Sequence, residues 1–153
     1  MKKMTKNKAN DNILSVGMYE QFRQLCHGVK SGNTKAVNEA AFLLSGITPS
    51  NATLVPIPSH YGRTTYTLEL AKQIAKLTGC MVDDCLAGPE RETLYSLKYR
   101  GILTDLGMAL LHNPNGNIYL LDNVIDTGHT YRASARLVGN VPIITIAKTL
   151  NYQ

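Results

Sequence analysis

The chain lacks most of the features that would assign it to a special class. No stretch approaches the roughly 18 consecutive apolar residues of a membrane span, and no apolar run follows the basic start as a secretory signal would require. There is no low-complexity tract and no repeat period. Neither GxxxxGK[ST] nor GxGxxG occurs, which leaves a nucleoside triphosphatase or a dinucleotide dehydrogenase with little support. The three cysteines, Cys26, Cys80 and Cys85, include no CxxC pair, so neither a disulfide framework nor a four-ligand zinc site is expected. Cys80, Asp83, Asp84 and Cys85 lie close in sequence, but with no histidine beside them they make a weak metal pattern, and reduced structural thiols are the expectation. His112 has no evident partner. Acidic residues are absent from the first ten positions, where Lys2, Lys3, Lys6 and Lys8 supply four of the five net positive charges. The basic character therefore belongs to a tail, read either as a frayed, solvated terminus or as an arm for nucleic acid.

What remains is ordinary and globular. A length of 153 residues, 44% hydrophobic and 18% charged, suits one domain with a real core. The expected organisation is a disordered basic tail at 1–12 and a single domain at 13–153, located in the cytoplasm without a membrane partner. Tyr19, Phe22, Leu25 and Cys26 recur at helical intervals, as do Val37, Ala40, Ala41 and Leu44 before Gly46. These predict two short amphipathic helices ahead of the first strand. Residues 53–57 read as a buried strand, 58–63 as a loop, and 65–77 as a helix closed by Gly79. A short strand follows at 81–82. Residues 88–101, with Arg91, Glu92, Lys98 and Arg100, suit a mobile basic segment or a solvated face. Residues 118–121 form a strand, 130–138 a helix ended by Gly139, and 143–147 a last strand. Alternating strands and helices predict an α/β fold with a parallel sheet covered by helices.

Residues 118–130, Ile-Tyr-Leu-Leu-Asp-Asn-Val-Ile-Asp-Thr-Gly-His-Thr, carry the chemistry. An apolar strand delivers its C-terminal end to a loop with carboxylates, threonines and a glycine, and that loop opens a helix. Free amides and the positive end of the helix dipole favour a phosphate there, hydroxyls add donors, and Gly128 permits close backbone approach. Asp122 is placed to accept hydrogen bonds from sugar hydroxyls, so a phosphorylated sugar satisfies both halves. The plainer reading is a strand-to-helix turn capped by Asp and Thr. For 59–63 the plainer reading is any proline- and glycine-containing turn.

Residues 118–130 resemble the phosphoribosyl pyrophosphate signature of type I phosphoribosyltransferases: four apolar positions, two acids, two apolar positions, then a small or acidic residue and Thr-Gly-x-Thr. Residues 54–63, Leu-Val-Pro-Ile-Pro-Ser-His-Tyr-Gly-Arg, look like the strand and pyrophosphate loop of ComF-like members, and Lys30-Ser31-Gly32 resembles a pre-core element. The resemblance implies a type I phosphoribosyltransferase-like sheet flanked by helices with a small N-terminal hood. It implies that Asp122 and Asn123 face the ribose hydroxyls, and that Asp126, Thr127, Gly128, His129 and Thr130 bind the 5′-phosphate. It further implies that Ser59, His60 and Arg63 grip pyrophosphate, and that Asp126 acts as proton acceptor toward a base beside a catalytic Asp122. Magnesium is the implied cofactor, held mainly by substrate and through Asp122. The implied partners are phosphoribosyl pyrophosphate and a nucleobase or nucleotide, with a homodimer as the family expectation. Asn123 departs from the pattern, standing where the family has its second acid and removing one negative charge from the site. A non-catalytic phosphoribosyl- or nucleotide-binding regulator, or a ComF-like role associated with DNA uptake, is thus the alternative to a transferase.

Overall fold

Residues 52–56 are buried at every position, the mark of a strand covered on both faces, and they form the inner strand β2 (Ala52–Pro56) of a five-stranded sheet. The computed structural model of the chain describes residues 12–59, 65–88 and 107–150. The expected basic tail and the basic segment carrying Arg91, Lys98 and Arg100 lie outside these residues, as do His60, Tyr61 and Arg63. Around β2 the chain runs β1 (Ile13–Met18), α1 (Tyr19–Lys30), α2 (Thr34–Ser45), β2, α3 (Thr65–Thr78) and β3 (Met81–Val82). It continues through β4 (Leu86–Ala87), β5 (Ala109–Leu110), β6 (Asn117–Ile125), a final helix that we label α4 (His129–Val138), and β7 (Ile143–Lys148). The sheet order is β1-β7-β6-β2-β3 with every pairing parallel, while β4 and β5 make a separate antiparallel ribbon. The expected α/β architecture is what the chain adopts.

Crossover handedness decides which face each helix covers. The crossovers from β1 to β2 and from β2 to β3 travel one way along the sheet, and their helices share one face: Cys26 and Val29 of α1, Ala40 and Leu44 of α2, and Leu70 and Ile74 of α3 pack with Leu54, Leu121 and Ile144. The crossover from β6 to β7 travels the opposite way, and α4 lies on the other face, where Tyr131 and Ala135 meet Val55, Leu120 and Ile143. A single hand of connection requires that opposition. The chain therefore reverses direction between β2 and β6, and the C-terminal ends of these neighbouring strands are where an open α/β sheet forms its crevice.

Local chemistry sets the helix boundaries. Asn33 caps α2, its Oδ1 accepting from the Ala36 amide at 2.9 Å. Gly28 is where α1 and α2 touch, since a Cβ there would lie 2.6 Å from the Ala36 Cβ.

Two expectations are corrected. The two helices do not precede the first strand: β1 comes before them and pairs with β7 along Ile13↔Ile143 and Leu14↔Ile144. Nor do the N-terminal elements form a hood, because β1 is an edge of the sheet and α1 and α2 supply core side chains against it. The physical reason is burial: Leu14 and Val16 pack on the core under α1 to α3 and Ile13 on the core under α4, so this segment buries apolar surface on both faces of the sheet. Among the described residues no helix is long and apolar enough to cross a membrane.

Candidate functional site at the sheet reversal

Strand register sets the C-terminal end of β2 beside β6. Val55 pairs with Leu120 and Pro56 with Leu121, and the Ile57 amide donates to the Leu121 carbonyl at 2.9 Å, continuing the ladder where Pro56 has no N–H to give. The chain after Ile57 thus leaves the sheet beside Asp122, while β6 runs on with β7 as far as Ile125. Thr67 ties α3 to this end of β2, its hydroxyl donating to the Ile57 carbonyl at 2.9 Å. Ser59 stands half-buried at the start of the first loop.

The second loop closes on itself before opening α4. Gly128 is buried at φ 89° and ψ 1°, a left-handed conformation that strains any side-chain-bearing residue, and it stands at the N-cap with no side-chain cap bond. The first helical hydrogen bond runs from the Arg132 amide to the Gly128 carbonyl at 2.9 Å, and the Arg132 guanidinium donates to the Thr127 carbonyl at 3.2 Å. An arginine one turn into the helix therefore fixes the loop's backbone and brings positive charge to it. The Thr127 hydroxyl and His129 Nδ1 are 2.5 Å apart, so that hydroxyl has a protein partner. Asp126 accepts from the Thr149 hydroxyl at 2.7 Å, which links the loop to the end of β7. Thr130 is half-buried in the first turn.

Asp122 and Asn123 are not loop residues. Strand β6 continues through both, with Asp122 in register with Thr145 and Val124 with Ala147. Asp122 is half-buried, and burial pushes its carboxyl up to about 7 against the smaller opposing pulls of the Asn123 amide, which donates to Oδ1 at 2.8 Å, and of Lys30. The same burial, then the nearby Asp122 charge, raises the Tyr66 phenol well above its ordinary value and the Cys26 thiol to about 11. Asn123 is 7% exposed, and its amide donates to the Cys26 carbonyl of α1 at 3.2 Å. Its side chain is spent on holding β6 to α1.

Asp122, Asp126, Thr127, Gly128, His129 and Thr130 therefore fall within one strand end and the turn that follows it. Lys30, which acts on Asp122, Tyr66, on which Asp122 acts, and Arg132, which holds Thr127, were not foreseen as site residues. Arg132 alone had a local signal, a cation one turn beyond the Thr-Gly loop. Compared with protein-family models and with curated proteins, the sequence matches none.

Proposed function

We propose that the chain binds the 5-phosphoribosyl group of magnesium phosphoribosyl pyrophosphate at the reversal between β2 and β6, as a type I phosphoribosyltransferase-like protein that transfers ribose 5-phosphate to or from a nitrogenous base. The observation that carries this reading is the pairing, at one sheet edge, of a half-buried carboxyl held near neutrality with a glycine-turned loop opening a helix. Perturbed acids in crevices mark functional sites more often than bulk surface does. In this reading the backbone amides and hydroxyls of residues 126–130 receive the 5′-phosphate, and Arg132 adds positive field behind them. Asp122 accepts from the ribose hydroxyls and, ionised, stabilises positive charge developing on the ribosyl ring. Asp126 takes the proton of a base only from within hydrogen-bond reach.

Magnesium suits this donor set, since the ion is commonly held by one or two carboxylates with waters and substrate phosphates completing its shell. Asp122 is the residue that would hold it, and the ion would neutralise charge on the leaving pyrophosphate. A cytoplasmic setting, where phosphorylated sugars are made and used, belongs to the same proposal.

A second reading is favoured by Asn123. With its amide committed to the Cys26 carbonyl, the position that resembles the second acid offers the ligand no carboxylate, which suits a phosphoribosyl-binding regulator better than an enzyme. Calorimetry with phosphoribosyl pyrophosphate and Mg²⁺, followed by pyrophosphate release across a panel of nucleobases, separates the two. Binding with release supports the transferase; binding without release supports the regulator. Absence of binding by the folded protein sinks both.

A further inference from the structure

At the β3 edge of the sheet, on the far side of β2 from the β6–α4 loop, three unlike donors converge. The Asp83 carboxylate, the Cys85 thiol and the His112 imidazole have ligand atoms all within 4.8 Å of one another. We propose that Asp83, Cys85 and His112 form a three-ligand zinc site with a water in the fourth position. The site does not depend on the phosphoribosyl reading.

The backbone holds these side chains in place. The Asp83 amide donates to the Leu54 carbonyl at 2.9 Å, fixing the end of β3 to β2. The Leu111 amide donates to the Cys85 carbonyl at 2.8 Å, and the ribbon pairs Leu86 with Leu110, so the residue preceding His112 is hydrogen-bonded to Cys85 itself. Zinc with bonds of about 2.0 to 2.3 Å in tetrahedral geometry sets its ligand atoms roughly 3.3 to 3.8 Å apart. His112 Nε2 and Asp83 Oδ1 are 2.6 Å apart, and the exposed imidazole need only swing outward by about an ångström to reach that spacing.

Exposure falls from His112 through half-buried Asp83 to fully buried Cys85, which gives a metal an approach from the solvent side and a dry end at the thiol. A surface histidine–aspartate pair needs no thiol beneath it, and exposed pairs contribute little to stability. Burial first, then the Asp83 and Asp84 carboxylates, keep the Cys85 thiol protonated without a metal. On binding, the S–H proton leaves to solvent as the metal–sulfur bond forms. Thiolate, imidazole and carboxylate together select zinc or a similar late divalent ion over magnesium. Cys80 takes no part, since it is buried in the core on the α1–α3 face.

Cobalt(II) tests this directly on the full chain after chelator treatment and dialysis. Tetrahedral visible absorption with a thiolate-to-cobalt charge-transfer band at one cobalt per chain, bleached by equimolar zinc and untouched by excess magnesium, is the expected result. Cys85→Ser should abolish the charge-transfer band, while Cys26→Ser and Cys80→Ser should keep it. His112→Ala, at an exposed position, should leave folding intact and weaken cobalt binding by at least about tenfold. No charge-transfer band, a band that survives Cys85→Ser, or unchanged affinity in His112→Ala would each overturn the assignment.

Discussion

The middle of the β2–β6 pair and its C-terminal rim are a few residues apart and obey different physics. In the middle, Leu54, Val55, Leu120 and Leu121 are fully buried and interchangeable in kind, each held by apolar contact with the helices on its face. At the rim, Asp122 and Asn123 are drawn into the same sheet without being apolar. One answers with a raised carboxyl and the other by hydrogen-bonding the Cys26 carbonyl. Stability is made in the middle, and at the rim part of it is given up to keep polar groups within the sheet.

The largest expected effect lies in the middle. Leu54→Ala should cost about 2 to 5 kcal/mol in chemical denaturation, from lost burial and the cavity left behind. A cost under about 1 kcal/mol would show that the central pair is not the mainstay of the core.

At the rim the sign should reverse. Between about pH 4 and about pH 7 the folded chain retains the Asp122 proton and the unfolded chain does not, so the stabilisation that proton brings is complete below the unfolded value and lost as pH rises through the folded one. Asp122→Asn removes the charge at every pH. At pH 8 the variant should be more stable by on the order of 2 kcal/mol, less than the full shift implies because the carboxyl keeps some contact with water. By about pH 4 the two proteins should melt together. Equal melting at pH 8 would mean the carboxyl is well solvated.

Asn123→Ala should cost about 0.5 to 1.5 kcal/mol by removing the side-chain hydrogen bond to the Cys26 carbonyl that ties β6 to α1. Thermal melting that does not distinguish the variant from the parent would remove the distinction drawn between it and Asp122. The smallest effect belongs to His112→Ala, within about 0.5 kcal/mol for the metal-free chain, because its contact with Asp83 is exposed.

Legibility followed the same division. The apolar periodicity of residues 19–26 and 37–44, the buried run in β2 and the glycines after α3 and α4 located most elements of the middle, because burial writes itself into sequence locally. Strand β1 was missed: six half-buried residues behind a lysine-rich tail carry no strong period, and only pairing with β7, more than a hundred residues away, makes them a strand. The two-residue strands β4 and β5 are too short to show any period. Strand β6 was ended early because Asp122 and Asn123 look like loop residues, and it is their ladder with β7 that extends it. At the site, residues 122–130 could be found from their order along the chain. The effect of Lys30 on Asp122, that of Asp122 on Tyr66, and the joining of His112 to Asp83 and Cys85 could not, since each crosses from one element to another and leaves no spacing to read.

The most direct test of the account is amide chemical-shift mapping of the uniformly ¹⁵N-labelled chain titrated with phosphoribosyl pyrophosphate and Mg²⁺. The account expects saturable shifts concentrated at Asp126, Thr127, Gly128, His129 and Thr130, with Asp122 and Asn123 moving at the same ligand concentrations. Saturable shifts elsewhere that leave these amides still, or none at all in a folded protein, would contradict it.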